Sequence, residues 1–109
     1  MEAARKIAKA LLVGERQNGD RFEIFLEIGL PHLYNQVDDE GDEWMCSVSM
    51  SPLVPKSHDV HGDGSFQALC LAISLAYQFL SRFMEDGGKL FFPTGEEVDS
   101  RTLNAVFGR

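Results

Sequence analysis

The sequence is poor in the residues that mark secreted and nucleic-acid-binding proteins. It has two cysteines, Cys46 and Cys70, and both lie in apolar runs, so we expect two buried free thiols and no disulfide. Ten Lys and Arg stand against 17 Asp and Glu, which gives a formal net charge of −7. A nucleic-acid backbone and an anionic membrane are both bound through basic residues. The composition therefore predicts no nucleic-acid partner and no membrane partner.

Three further features are missing. The longest apolar stretch, residues 66–80, is interrupted by polar side chains and is too short to span a bilayer. Residues 1–6 hold no apolar segment of the kind that a secretory leader needs, so we expect a cytoplasmic protein. The chain has no Gly-rich phosphate loop with a Lys, and we expect no cofactor. A length of 109 residues with 44% hydrophobic content suits one domain over residues 1–109.

Two strands, 5–16 and 21–29, are predicted to form an antiparallel hairpin. Between them Asn18-Gly19 is a strong turn signal, because both positions accept a positive φ. From Phe22 to Ile28 apolar and polar side chains alternate, with one exception at Phe25, as in a strand with one buried face. The hairpin ends at Gly29 and Pro31, since proline cannot donate to a sheet ladder.

Two more strands, 43–51 and 89–93, complete the predicted sheet. Residues 43–51 alternate almost perfectly, with serines on the outer face. The short strand 89–93 comes after a helix and is free to pair parallel to an earlier strand. Segments 32–43 and 53–64 are interpreted as loops. The predicted fold class is α+β, with two layers: an antiparallel sheet of three or four strands packed on one long helix.

The helix is predicted over residues 65–86, with Ser65 or Asp63 as its N-cap and Gly87-Gly88 as its stop. Its polar residues form one narrow stripe, so its apolar arc is wider than one sheet face needs. The C-terminal segment 94–109, a second subunit or a partner should cover the rest. A turn or two of helix is expected at 100–107. The predicted core comprises Phe22, Ile24, Leu26, Trp44, Val48, Leu69, Ile73 and Leu80.

Three motifs stand out: I-G-x-P at Ile28–Pro31, W-x-C at Trp44–Cys46, and a helix opening at Gly62–Leu69 that is similar to G-x-D-S-x-Q-A-L. With these motifs the chain resembles a family of small uncharacterised bacterial proteins, a domain of unknown function. The third motif departs at one position, because the family's Asp falls on Gly64 and Asp63 comes one residue early. The resemblance implies a β-hairpin-plus-helix fold and no particular activity.

One cluster could bind a metal. His58, Asp59, His61 and Asp63 combine imidazoles and carboxylates, which suit a transition metal. His-x-x-His on a loop fixes no geometry, however, and a solvated loop leading to a helix cap is the better interpretation. A small enzyme or metal-dependent protein built on this segment is the alternative function.

Two surfaces are predicted to bind a partner. The first is the acidic run with Asp38, Asp39, Glu40 and Asp42, which lacks the ligand spacing of a calcium loop and would attract a basic protein. The second is the helix face with Leu71, Leu75 and Phe79. The sequence thus favours a non-enzymatic protein-binding or regulatory module, either a homodimer or the partner of another protein.

Overall fold

The structure is a computed structural model that describes residues 5–37 and 41–109. It is an α+β fold with a mostly antiparallel sheet of seven strands, one long helix packed on the sheet and a second, short helix, which confirms the predicted class. The predicted number of strands, three or four, is too low. The elements are β1 Lys6–Glu15, β2 Arg21–Gly29, β3 His32–Val37, β4 Gly41–Ser51, β5 Val54–Gly62, α1 Ser65–Glu85, β6 Lys89–Phe91, β7 Glu97–Val98 and α2 Ser100–Val106.

The prediction of loops at 32–43 and 53–64 is wrong, because the first segment contains β3 and the second contains β5. Both strands pair with β4, and β5 has no further strand beside it among the described residues. An edge strand needs few apolar side chains, and β5 offers only Val54 and Val60 to the core. The polar sequence of such a strand resembles that of a loop.

The sheet is built around β4. On one edge β4 pairs with β5, and on the other it pairs with β3 near its start and with β2 near its end. Strand β1 lies on the far side of β2, followed by β6 and β7. Helix α1 therefore carries the chain from β5 to β6 beside β1. Strand β6 pairs antiparallel with both of its neighbours, so the parallel pairing considered for it does not occur.

The turn between β1 and β2 lies where the sequence predicts it, but its conformation differs from the predicted one. The Arg16 amide donates to the Asp20 carbonyl and the Gly19 amide to the Arg16 carbonyl, both at 2.8 Å. Gly19 has a φ of 92°, whereas no described residue other than glycine has a positive φ. This is a three-residue loop closed by one left-handed glycine, and Asn18 instead accepts a hydrogen bond from the Asp20 amide at 2.9 Å.

Helix α1 packs on β4 and β5 through a stripe of small residues. Ala68, Ala72 and Ala76 are fully buried, four residues apart, and Leu80 continues the stripe. A Cβ atom on Gly62 would lie 2.6 Å from the Ala68 backbone nitrogen, so the end of β5 touches the helix backbone. Small side chains on both sides let helix and sheet approach closely.

The predicted core is partly confirmed. Four of its residues are buried and three are half-buried against them: Ile24, Leu26, Val48 and Leu80, then Phe22, Trp44 and Leu69. Ile73 was misplaced, because it is 37% exposed. The alanine stripe is the surface of α1 that meets the sheet, and Ile73 lies to one side of it.

Corrections also apply to the helix start and the cysteines. The N-cap of α1 is Gly64 without a side-chain cap, and the Asp63 amide donates instead to Gln67 Oε1 at 2.6 Å. Cys70 is exposed rather than buried. Cys46 is buried as expected, its thiol lies 3.2 Å from the Gly29 carbonyl, and burial raises its pKa. The predicted C-terminal helix is confirmed as α2.

Candidate functional site

The predicted polar cluster lies mainly on strand β5 instead of a loop, and its two histidines face opposite sides of the sheet. His58 points toward α1, where its ring centroid lies 5.2 Å from that of Phe79. His61 lies on the other face, as expected for a residue three positions along a strand. Asp59 and Asp63 are exposed. Within residues 5–37 and 41–109 no three His, Cys, Asp or Glu side chains are close enough together to hold a metal ion.

On the face opposite α1, His61 belongs to a cluster that sequence reasoning missed. Its Nδ1 lies 2.9 Å from Glu43 Oε1, and its ring meets the Tyr34 ring edge-on with the centroids 5.1 Å apart. The His61 and Glu43 side chains are 44% and 41% exposed, so water screens the pair. Only the register of β4 with β5, hidden by the loop interpretation, could have revealed it.

The predicted acidic surface is described only in part. Asp38, Asp39 and Glu40 lie outside the described residues. Asp42 is exposed at the start of β4, and the neighbouring Glu43 is engaged with His61. The described part of this surface therefore offers one free carboxylate, at Asp42, beside one that is already paired.

The predicted helix face is mostly covered. Leu71 is 42% exposed, but Leu75 and Phe79 are half-buried and pack against the core. The contact between Phe79 and His58 shows why: β5 lies under this side of the helix. Of the three residues predicted to bind a partner, the structure leaves Leu71 available.

A second apolar flank of α1 is more exposed. Phe66 is 78% exposed, Ile73 is 37% exposed, and Cys70 between them is also exposed. Spacings of four and three residues place these side chains in one row, which we call the α1 flank. The next residue of that row, Tyr77, is half-buried. The spacing of the residues in this row was visible in the sequence. The sequence did not show which side of α1 would be left uncovered.

The C-terminal segment covers the far end of that row and stops there. The rings of Tyr77 and Phe107 lie 5.4 Å apart, and the Tyr77 hydroxyl donates to Asn104. The Arg109 guanidinium stacks over the Tyr77 ring at 4.3 Å and reaches Ser74 Oγ at 3.3 Å. The expectation that residues 94–109 shield part of the helix is thus met at Tyr77, while the α1 flank stays uncovered by the described residues.

Helix α1 is also long and apolar enough to cross a bilayer, with a mean hydropathy of 1.2 over its most apolar window. Core helices pass the same test of length and composition. Only 22% of that window is buried, which agrees with the exposed positions along α1.

An apolar cavity of about 150 Å³ lies on the same side of the sheet as α1, near β1. Its walls come from both layers of the fold and include Ala10, Leu12, Leu26, Leu80, Leu103 and Phe107. Val106, which also lines it, is 60% exposed. The cavity therefore lies near solvent, between β1 and α2.

The chain matches no protein-family model, no curated protein and no solved structure. The resemblance to a bacterial family of unknown function therefore stays a prediction, and functional assignment rests on the surfaces described above.

Proposed function

We propose that the protein is a non-enzymatic binding module that self-associates through the α1 flank. The single observation that supports this is the exposure of Phe66, at 78%, in one row with the exposed Cys70 and Ile73. A large aromatic side chain gains about 1.5–3 kcal/mol when it leaves water. An apolar row beside a polar surface is a common contact site between subunits.

A two-fold axis suits this row. If two copies of α1 pack antiparallel with Cys70 near the axis, Phe66 of each copy lies against Ile73 of the other. Such a contact uses the same patch on both chains, so it closes at a dimer. The net charge of −7 on each chain opposes association, but screening by salt weakens that repulsion.

Sedimentation equilibrium tests the proposal. We expect wild-type protein to form dimers at micromolar concentration and the Phe66→Ser/Ile73→Ser variant to be monomeric, with an unchanged circular-dichroism spectrum. Leu71→Ser, on the opposite flank of the same helix, is the matched control and should leave the dimer intact. Monomeric wild-type protein at high micromolar concentration would contradict the proposal, as would a dimer that only Leu71→Ser dissolves.

Cys70 provides an independent test of the packing. A short bismaleimide crosslinker should join two chains through Cys70, because it is exposed and placed near the proposed axis, whereas Cys46 is buried. Helices in contact lie about 8–10 Å apart, within reach of such a reagent. The crosslinked dimer should disappear in Cys70→Ser. Efficient crosslinking of wild-type protein but not of the Phe66→Ser/Ile73→Ser variant would tie the contact to this flank.

A further inference from the structure

Strand β1 leaves part of its outer edge unpaired among the described residues. Its pairing with β6 covers only Val13–Glu15, whereas its pairing with β2 runs along nearly the whole strand. The Arg16 amide points toward β2, where it meets Asp20. By the alternation of an antiparallel ladder, the backbone groups of Lys9 and Leu11 point away from β2, toward this open edge. An open edge is a template for another strand.

The apolar cavity lies beside this edge. Strand β6 ends at Phe91, and the chain then turns, with the Gly95 amide donating to the Phe92 carbonyl. Phe92 and Ala10 both line the cavity, so it lies where β6 leaves β1. An incoming strand that continued the line of β6 along β1 would turn every second side chain toward the face of the sheet on which the cavity lies, and one of these side chains would reach it. Its volume is about that of a cavity that holds one benzene-sized group.

The charged side chains on the face of β1 that lies opposite the cavity determine which kind of partner segment is attracted. Lys9 pairs in register with Glu27, and Lys6 Nζ lies 3.6 Å from the same carboxylate. Lys9 therefore lies on the same face as the Lys6–Glu27 ion pair, and Arg5 precedes Lys6 in the sequence of an acidic protein. An incoming strand would present alternate side chains to this face, beside Lys9. Acidic side chains there would be attracted, and basic ones repelled.

From these observations we infer that the β1 edge binds an extended segment of a partner protein in which acidic and apolar residues alternate. One apolar side chain enters the cavity, the other apolar side chains lie on the same face of the sheet, and the acidic ones face Lys9 and the Lys6–Glu27 pair. A second copy of β1 fits less well, because it would bring its own lysines against these. This inference does not rest on the α1 flank, since it uses a different element and a different kind of contact.

The probe is a fluorescein-labelled heptapeptide, DVDLDVD, measured by fluorescence anisotropy at low and high salt. We expect binding that weakens with salt and about tenfold weaker binding to Lys9→Glu. Lys56→Glu, a charge reversal at an exposed position of β5, a strand at an edge of the sheet, is the matched control and should bind like wild type. The peptides KVKLKVK and DVDPDVD should not bind, because the first repels the lysines and the second lacks a backbone donor.

Hydrogen exchange distinguishes strand addition from simple ionic attraction. Saturating peptide should protect the amides of Lys9 and Leu11, and Ala10→Leu, which fills the cavity, should weaken binding. Equal binding to Lys9→Glu, or protection of α1 in place of β1, would overturn the inference. The Phe66→Ser/Ile73→Ser variant should bind the peptide like wild type, and Lys9→Glu should sediment like wild type. The two proposals can therefore fail separately.

Discussion

The two halves of the sheet are covered very differently on their helix side. Over β4 and β5, α1 lies so close that Gly62 has no room for a Cβ atom. Beside β1, the short α2 supplies the cover, leaving a cavity of about 150 Å³ and an exposed Val106. Strands of the same sheet therefore differ in how much they contribute to stability, because the contribution depends on how densely the covering helix packs on them. The β1 edge at which we infer that a partner segment binds lies in the loosely covered half.

Chain connectivity explains the difference. Helix α1 has 21 residues and follows β5 directly, so it starts on the edge strand and passes over β4. After it the chain forms β6, β7 and α2, and α2 has seven residues. Asn104 of α2 and Phe107, just after α2, contact Tyr77, so the described residues cover α1 at Tyr77 and leave the α1 flank exposed.

The largest expected effect comes from making the same substitution in each half. Val48 is 1% exposed under α1, whereas Val106 is 60% exposed beside the cavity. Val48→Ala should lower the free energy of unfolding by about 2–3 kcal/mol, from lost apolar burial plus a cavity. Val106→Ala should lower it by less than about 0.5 kcal/mol. Urea denaturation measures both values, and equal losses would abolish the distinction between the halves.

Adding atoms to a side chain should destabilise the densely packed half of the protein and stabilise the loosely covered half. Gly62→Ala should cost about 1–3 kcal/mol, because the new methyl meets the backbone of Ala68 and forces α1 off the sheet. Ala10→Val should gain about 0.5–1 kcal/mol by filling part of the cavity. Ala8→Val, on the same face of β1 but not lining the cavity, controls for the strand preference of valine. A loss of stability in Ala10→Val would show that the cavity has no room for added atoms.

The sequence predicted the densely packed half better than the open one. Alternation in β2 and β4 gave the right buried faces at Ile24 and Val48, because those strands lie inside the sheet with one dry side. It failed for β3 and β5, whose single-sided pairing demands little apolar content. It also misplaced Ile73, since helical periodicity gives the width of an apolar arc but not which part of it the sheet will cover.

The candidate surfaces were less predictable still. The unpaired edge of β1 depends on where β6 ends, and the Tyr34, Glu43 and His61 cluster depends on strand register. Both arise from pairing between residues distant in sequence, which local patterns do not encode. The existence of an exposed apolar flank on α1 was easier to predict, because the sequence already indicated that the helix was too apolar for one sheet face.

The smallest expected effect concerns how firmly α2 holds the open half. Asp99 is the N-cap of α2, and its side chain accepts from the Thr102 amide at 2.8 Å. The backbone and hydroxyl hydrogen bonds from Thr102, with a smaller contribution from Arg101, hold the Asp99 pKa below its usual value of 3.8. A lowered pKa in the folded state gives stability that is complete above the unfolded-state pKa and is lost as pH falls through the folded-state value.

Asp99→Asn keeps a capping oxygen but removes this titration. Hydrogen exchange of the α2 amides, compared with those of β4, should show α2 opening in wild-type protein as the pH falls below the usual Asp pKa. The same comparison in Asp99→Asn should lack that added opening, because the other carboxylates titrate equally in both proteins. If α2 and β4 instead open together at every pH, the two halves unfold as one unit, and α2 is held as firmly as the densely packed half.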